Sequence, residues 1–97
     1  MLNTTKHITT KTRKAVYARD DYSCVLCRDN RAIHLHHFIP RGSGGHDFES
    51  NLVCLCPTCH RVVHGEYEYS HDFPFDKETA EDAIYWYLAD LYDWGEH

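Results

Sequence analysis

Two CxxC pairs constrain this 97-residue chain more than any other feature. Cys24 and Cys27 form the first pair, Cys56 and Cys59 form the second, and 28 residues lie between the two pairs. A two-residue spacer on a turn lets both sulfurs face inward, so both pairs can bind one ion, and four thiolates are the usual ligands of structural zinc. A chain this short usually needs a metal, a disulfide or a partner to supplement its core. We therefore predict a structural Zn²⁺ that has no open coordination position and performs no catalysis.

The alternative is that these cysteines are buried thiols that pack as small hydrophobic side chains. The amino terminus is polar and no apolar run reaches membrane length, so we expect a cytoplasmic protein with no membrane association. In a reducing compartment a zinc site explains two CxxC pairs better than two disulfides do. Cys54 belongs to neither pair, and we expect it to be a packed core thiol.

The formal charge of −5 hides an uneven distribution. Residues 1–64 contain nine lysines and arginines and five acidic residues, whereas residues 65–97 contain one lysine and ten acidic residues. The basic part could meet a nucleic acid, and the acidic excess is a separate carboxy-terminal feature. We expect one domain over residues 1–97, with a motif core at 13–64 and an acidic helical extension at 65–97.

The sequence pattern alternates helices with a hairpin. Residues 11–19 fit a short amphipathic helix with a cationic outer face, and residues 32–38 are rich in strand-forming side chains. Pro57 fits the first position of a second helix, and Gly65 fits the residue just past its end. A third helix follows Asp76, a suitable N-cap.

Histidines four residues apart on the second helix present a metal-binding face. His60 and His64 project from one side of that helix, and the opposite strand offers His36 as a third ligand. Neighbouring residues of a regular strand point to opposite faces, so we expect His37 to turn away from the ion. His34 and His46 could also approach the metal, but we expect ordinary packing or surface histidines there, as at His7, His71 and His97.

The order of these residues resembles the HNH (ββα-metal) endonuclease family. The resemblance runs from about Arg13 to His64 and includes HHFIPRGSGG and NLVCLCPTCHRVVH around His36, His37, Asn51, His60 and His64. It implies a small α+β fold, with a short β-hairpin plus helices, of the free-standing, phage-type kind found in a bacterial host cytoplasm. It also implies hydrolysis of DNA phosphodiester bonds that leaves 5′-phosphate and 3′-hydroxyl ends.

The resemblance further implies roles for individual residues. His37 would be the general base, and Asn51 would tie down the intervening loop; alone, Asn51 could be a turn or cap residue. A single catalytic divalent ion (Mg²⁺, Mn²⁺, Ni²⁺ or Zn²⁺) would bind His36, His60 and His64. Position 36 is often an aspartate in the family, and three imidazoles favour a transition metal over magnesium.

DNA contacts should be made mainly through phosphates, because no base-reading element is visible. We predict low sequence specificity and the following basic contacts: Arg13, Lys14, Arg19, Arg41 and Arg61. Two other function classes stay open. One is a catalytically inactive zinc-stabilised module that binds nucleic acid or protein, although the retained His37 and Asn51 argue against it. The other is an RNase or toxin nuclease.

The acidic extension is the part that the family motif does not explain. Its third helix spaces a hydrophobic stripe at helical intervals, at Ala80, Ile84, Tyr87, Leu88 and Leu91. We expect this stripe to pack on the core, with Trp86, Tyr92 and Trp94 covering its edge. Glu78, Glu81, Asp82 and Asp93 lie off the stripe. They would point away from DNA, contact a protein partner or screen the active site.

Overall fold

Two short antiparallel strands form the centre of the fold in the computed structural model of the chain, which describes residues 8–40, 42, 44–65 and 76–92. Strand β1 (His34–His37) pairs with β2 (Leu52–Leu55) so that His36 lies opposite Val53 and His37 opposite Leu52. All four residues of β2 are buried because helices pack against the sheet. This is a small α+β architecture consistent with the ββα-metal fold, so the predicted fold class is confirmed.

Helix α1 (Thr10–Arg19) begins one residue earlier than predicted, because Thr9 caps it by accepting a hydrogen bond from the Thr12 amide at 3.1 Å. Val16 is its one buried residue and packs on Leu52 and Cys54 of β2. Of the other apolar positions, Ala15 is half-buried and Ala18 is exposed. The apolar side of α1 is therefore narrower than the amphipathic pattern suggested. The expected burial of Cys54 in the core is confirmed.

Helix α2 (Pro57–Val63) has the two boundaries that the sequence predicted. Pro57 occupies the first turn, and Gly65 adopts a φ of +76° just past the end. The Sγ of Cys56 accepts a hydrogen bond from the Cys59 amide at 3.4 Å at the N-cap. Cys59, Val62 and Val63 are buried, so one side of α2 packs on the sheet and on α3.

Helix α3 (Lys77–Tyr92) begins where Asp76 accepts a hydrogen bond from the Thr79 amide at 2.8 Å, as expected of an N-cap. Ala80, Ile84, Leu88 and Ala89 are buried against the core, which confirms most of the predicted stripe. Leu91 is 48% exposed, because at this end of the helix Ala89 is buried and Tyr92, and not Leu91, packs against the core.

The aromatic edge of α3 was predicted only in part. Trp86 is 63% exposed and does not cover the core, whereas Tyr92 packs against it. Glu78 and Asp82 are exposed, and Glu81 accepts a hydrogen bond from Lys77 at 2.8 Å. Asp93 and Trp94 lie outside the described residues. Among the described helices, none is long and apolar enough to span a membrane.

A buried ion pair joins the end of α1 to the sheet and to α3. Asp20 is 1% exposed and accepts hydrogen bonds from Arg19, from the Cys54 amide and from the hydroxyl of Tyr87. Arg19 also donates to the carbonyl of Leu52 at 2.6 Å and to the hydroxyl of Tyr92 at 3.0 Å. Burial and the hydrogen bond to Asp20 raise the pKa of Tyr87 to about 12.

This geometry corrects the prediction that Arg19 contacts DNA. Its side chain is 14% exposed, and its guanidinium donates to protein groups on three elements. Burial opposes the charge, but the hydrogen bonds to Asp20 and Tyr92 and the electrostatic attraction of Asp20 together outweigh burial and raise the pKa of Arg19. The charged side chain of Arg19 thus stabilises the fold by binding Asp20, Leu52 and Tyr92.

Candidate active site

The four cysteines of the two CxxC pairs converge in one cluster. Their sulfur atoms all lie within 4.8 Å of one another, and none of the five cysteines forms a disulfide. The Sγ atoms of Cys27 and Cys56 are 3.6 Å apart. Four thiolates about 2.3 Å from a zinc ion lie about 3.8 Å from each other, so the spacing fits a tetrahedral metal site.

The backbone around the first pair folds into a tight turn that aims the thiols at the second pair. The Cys24 amide donates to the Asp29 carbonyl at 2.8 Å, and the Arg28 amide donates to the Cys24 carbonyl at 2.9 Å. Arg28 adopts a φ of +70°, as such a turn requires. The Val25 amide then donates to the Cys54 carbonyl at 3.0 Å, which ties the turn to β2.

The thiols in the cluster differ in their pKa values. The hydrogen bond with Cys59 lowers the pKa of Cys24 to about 4, and the pKa of Cys59 is raised in turn. One thiolate is therefore favoured before any metal binds, and a cation would favour ionisation of the others. Cys24, Cys56 and Cys59 are buried, while Cys27 is exposed. This donor set could hold a structural metal.

A second cluster consists of three histidines from two elements. β1 contributes His36, α2 contributes His60 and His64, and one ring nitrogen of each lies within 4.8 Å of the other two. The Nε2 atoms of His60 and His64 are 3.0 Å apart. The pKa of His36 is lowered to about 3, mainly by burial and also by electrostatic repulsion from His60 and His64. Its imidazole is therefore neutral, which is the form that binds metal ions.

His34 extends this row of imidazoles along β1. Its ring packs edge-on against His60 at a centroid distance of 4.5 Å. Its Nε2 is buried and has no hydrogen-bond partner among the described residues. The three clustered rings fit a divalent ion by the chemistry of their nitrogens, and the ring of His34 packs against His60 beside them. His7, His71 and His97 lie outside the described residues.

His37 faces the same cleft from the end of β1. The cleft has a volume of about 240 Å³, and its walls include His36, His37, Pro40, His60 and His64. The Nε2 of His37 lies 2.6 Å from Oδ1 of Asp47, in the loop that precedes β2. Among the described residues, the three-histidine group does not include His37, although His36 and His37 line the same cleft.

Asn51 fixes the loop that carries Asp47. Its Oδ1 accepts from the Ile39 amide at 2.7 Å, and its Nδ2 donates to the carbonyls of Ile39 and His46 at 3.0 and 2.9 Å. The buried amide thereby joins the start of the loop to the residue that precedes Asp47. The side chain of Asn51 thus holds the two ends of the loop together.

Asp47 is the site residue that the sequence analysis missed. No periodicity marks it, because its contact with His37 depends on the path of a loop between the two motif residues His37 and Asn51. The only available signal was an isolated acidic residue in that glycine-rich loop. Of the predicted DNA contacts, Arg13 and Lys14 are exposed on α1, Arg61 is exposed on α2, and Arg41 lies outside the described residues.

Comparison with known proteins agrees with this geometry. The family model of the HNH endonuclease matches residues 24–66, a span that contains both clusters. Anaredoxin of Nostoc sp. (strain PCC 7120 / SAG 25.82 / UTEX 2576) is 36% identical over 55 residues, which cover 56% of this chain and 72% of that protein. The chain belongs to the HNH endonuclease family.

A second relative of this HNH protein is a restriction enzyme. The Type IV methyl-directed restriction enzyme EcoKMcrA of Escherichia coli (strain K12) is 51% identical over 35 residues. These residues cover 36% of this chain and 13% of the enzyme. The likeness is therefore high over a short segment, and most of the restriction enzyme has no counterpart in the match.

Proposed function

We propose that this HNH protein is a metal-dependent endonuclease that hydrolyses DNA phosphodiester bonds with low sequence specificity. The observation that carries the proposal is the common cleft: three imidazoles able to bind one ion line it together with a fourth histidine that is paired with a carboxylate. A site with a metal group and a separate proton acceptor has the two functions that phosphodiester hydrolysis needs.

His36, His60 and His64 would hold the divalent ion. When bound there, Mg²⁺, Mn²⁺, Ni²⁺ or Zn²⁺ would stabilise negative charge on the phosphate and on the leaving 3′ oxygen. Three neutral imidazoles favour a transition metal. The four-cysteine cluster would hold a structural Zn²⁺ with no open position, and its role is to fix the fold around the cleft.

His37 would remove the proton from the attacking water. A carboxylate only accepts hydrogen bonds, so the contact with Asp47 supports a tautomer with the imidazole proton on Nε2. Nδ1 then keeps the lone pair that can accept a proton from water. Asn51 would hold the loop so that Asp47 keeps the ring in this orientation. Arg13, Lys14 and Arg61 supply exposed cations for backbone phosphates.

The experiment compares two histidine variants of the zinc-loaded protein. Protein freed of its catalytic ion is incubated with supercoiled plasmid and with Mg²⁺, Mn²⁺, Ni²⁺ or Zn²⁺ added separately. His37→Ala should lower the cleavage rate by about a hundredfold to ten-thousandfold and leave binding of the ion unchanged. His60→Ala should lose both activity and the ion.

Thermal unfolding and elemental analysis of each variant provide the controls. Cleavage by His37→Ala at the wild-type rate would show that His37 is not the base, and loss of its ion would make it a ligand instead. No cleavage of plasmid by the wild-type protein with any of the four ions would refute the proposal of a DNA nuclease. A parallel incubation with RNA tests the RNase alternative.

A further inference from the structure

An exposed pair of aromatic rings borders a hollow beside the candidate active site. Phe48 is 65% exposed, and the ring of His46 stacks on it with a centroid distance of 5.1 Å and an interplanar angle of 21°. The hollow has a volume of about 210 Å³ and is formed by Ile39, Gly44, Gly45, Ser50, Asn51 and the two residues that carry the rings. Single exposed apolar side chains are common, but a stacked pair at the edge of a concave surface is a different feature.

The hollow and the catalytic cleft share their framework. Asn51 borders the hollow, and its amide donates to the His46 carbonyl and holds both backbone groups of Ile39. Ile39 lines the hollow, and the next residue, Pro40, lines the catalytic cleft. Asp47 contacts His37, and the residues on either side of it carry the stacked rings. The hollow therefore adjoins the cleft through neighbouring residues, and a nucleotide next to a phosphate in the cleft would lie near the rings.

The chemistry of the hollow suits a nucleobase better than a phosphate. Among the described residues that form it, none is a lysine or an arginine, so these residues supply no permanent positive charge to an anion. The exposed aromatic face instead offers stacking, which every base accepts regardless of sequence. Within an intact duplex both faces of a base are already stacked on its neighbours. A base that uses this surface must therefore be unpaired or displaced from the helix.

We propose that His46 and Phe48 form a stacking platform for one unpaired base next to the cleaved phosphate. The preferred substrate is then DNA with a locally unpaired nucleotide, such as a bulge, a mismatch or a single strand. This proposal rests on the proposed nuclease function and specifies its substrate. Low sequence specificity follows from it, because stacking does not read the edge of a base.

The test measures binding with a fluorescent base analogue, in a His37→Ala background that prevents cleavage. An oligonucleotide carries 2-aminopurine in a single-nucleotide bulge, and a fully paired duplex of the same sequence is the reference. Phe48→Ala should weaken binding to the bulged DNA by about fivefold to a hundredfold. It should change binding to the duplex by less than about twofold and abolish the quenching caused by stacking.

Three further variants separate stacking on an aromatic face from a purely apolar contact. Phe48→Trp keeps an aromatic face and should retain binding to the bulge, whereas Phe48→Leu keeps only apolar surface and should behave like Phe48→Ala. Trp86→Ala removes a comparably exposed ring from α3, away from the hollow, and should leave both affinities unchanged.

Two results would overturn the platform. One is an equal effect of Phe48→Ala on bulged and paired DNA, and the other is wild-type binding by Phe48→Leu. Failure of the platform is separable from failure of the proposed function. A wild-type protein that cleaves plasmid but has no preference for bulged DNA refutes only the platform, whereas absence of any cleavage refutes the nuclease.

Discussion

Replacing Asp20 with asparagine should destabilise the protein strongly, although Asp20 touches neither cluster of proposed metal ligands. Its carboxylate connects three elements through one buried group: it accepts two hydrogen bonds from Arg19 at 2.7 and 2.9 Å, one from the Cys54 amide at 2.9 Å and one from the hydroxyl of Tyr87. The asparagine side chain has the same shape, so the Asp20→Asn variant tests the charge and the acceptors without creating a cavity.

The expected loss follows from the partners that remain. Within the described part of the chain, every hydrogen-bond partner of the Asp20 carboxylate acts as a donor, so the amide nitrogen of asparagine would face other donors. The Arg19 guanidinium would stay inside without its counter-ion. Breaking a buried pair by removing one partner costs about 3–5 kcal/mol. Because the Arg19 side chain is 14% exposed to solvent, we expect a loss of stability near the lower end of this range, about 3 kcal/mol. For a domain of this size that lowers Tm by about 12 °C or more.

The assay is thermal and urea unfolding of zinc-loaded protein, followed by circular dichroism. Asp21→Asn is the matched control: the substitution is the same, the residue is the next one in the chain, and Asp21 is exposed. Its φ of +59° is tolerated by asparagine, so this variant should unfold like the wild type. An Asp20→Asn variant whose Tm falls by less than about 4 °C would refute the view that this network holds α1 and α3 to the sheet.

Two further predictions concern the cysteine cluster and the acidic face. Cys59→Ser should lose the cooperative thermal transition, because metal binding supplies on the order of 10 kcal/mol of folding free energy in small zinc modules; wild-type unfolding with unchanged zinc content would contradict this. The double variant Glu78→Gln and Asp82→Asn should leave plasmid cleavage within about twofold of wild type, because a nuclease gains little by repelling its substrate; several-fold activation at low salt that vanishes at higher salt would instead indicate autoinhibition.

The parts of the fold that the sequence predicted are those in which short-range spacing sets geometry. Two CxxC pairs, the spacing of His60 and His64, and the helix boundaries at Pro57 and Gly65 depend on local chain conformation, so the pattern is enough. The pairing of β1 with β2 required only that the loop between them close. These elements contain both proposed ligand sets, which is why the sequence pattern alone indicates most of the candidate site.

What the sequence could not predict depends on contacts between distant segments. Arg19 follows basic residues on a helix with an exposed outer face, and nothing local indicates that its guanidinium turns toward Leu52, 33 residues away. Asp47 meets His37 only because Asn51 closes the loop on both sides. Leu91 follows the helical period but is 48% exposed, whereas the next residue, Tyr92, packs against the core. In each case tertiary packing overrides the local pattern.

The two proposed metal sites are linked through α2. α2 has seven residues, too few for a helix to be stable in isolation. Cys56 caps its start, Cys59 anchors its first turn in the thiol cluster, and the next residue, His60, already belongs to the histidine cluster. The imidazoles of His60 and His64 therefore lie at the right separation only while the cysteine end of the helix is fixed.

We infer that the structural ion must bind before the catalytic ion, so Cys59→Ser should also lose affinity at the histidine site, while His60→Ala should leave the structural zinc in place. Retention of the catalytic ion by Cys59→Ser would show that the two sites are independent.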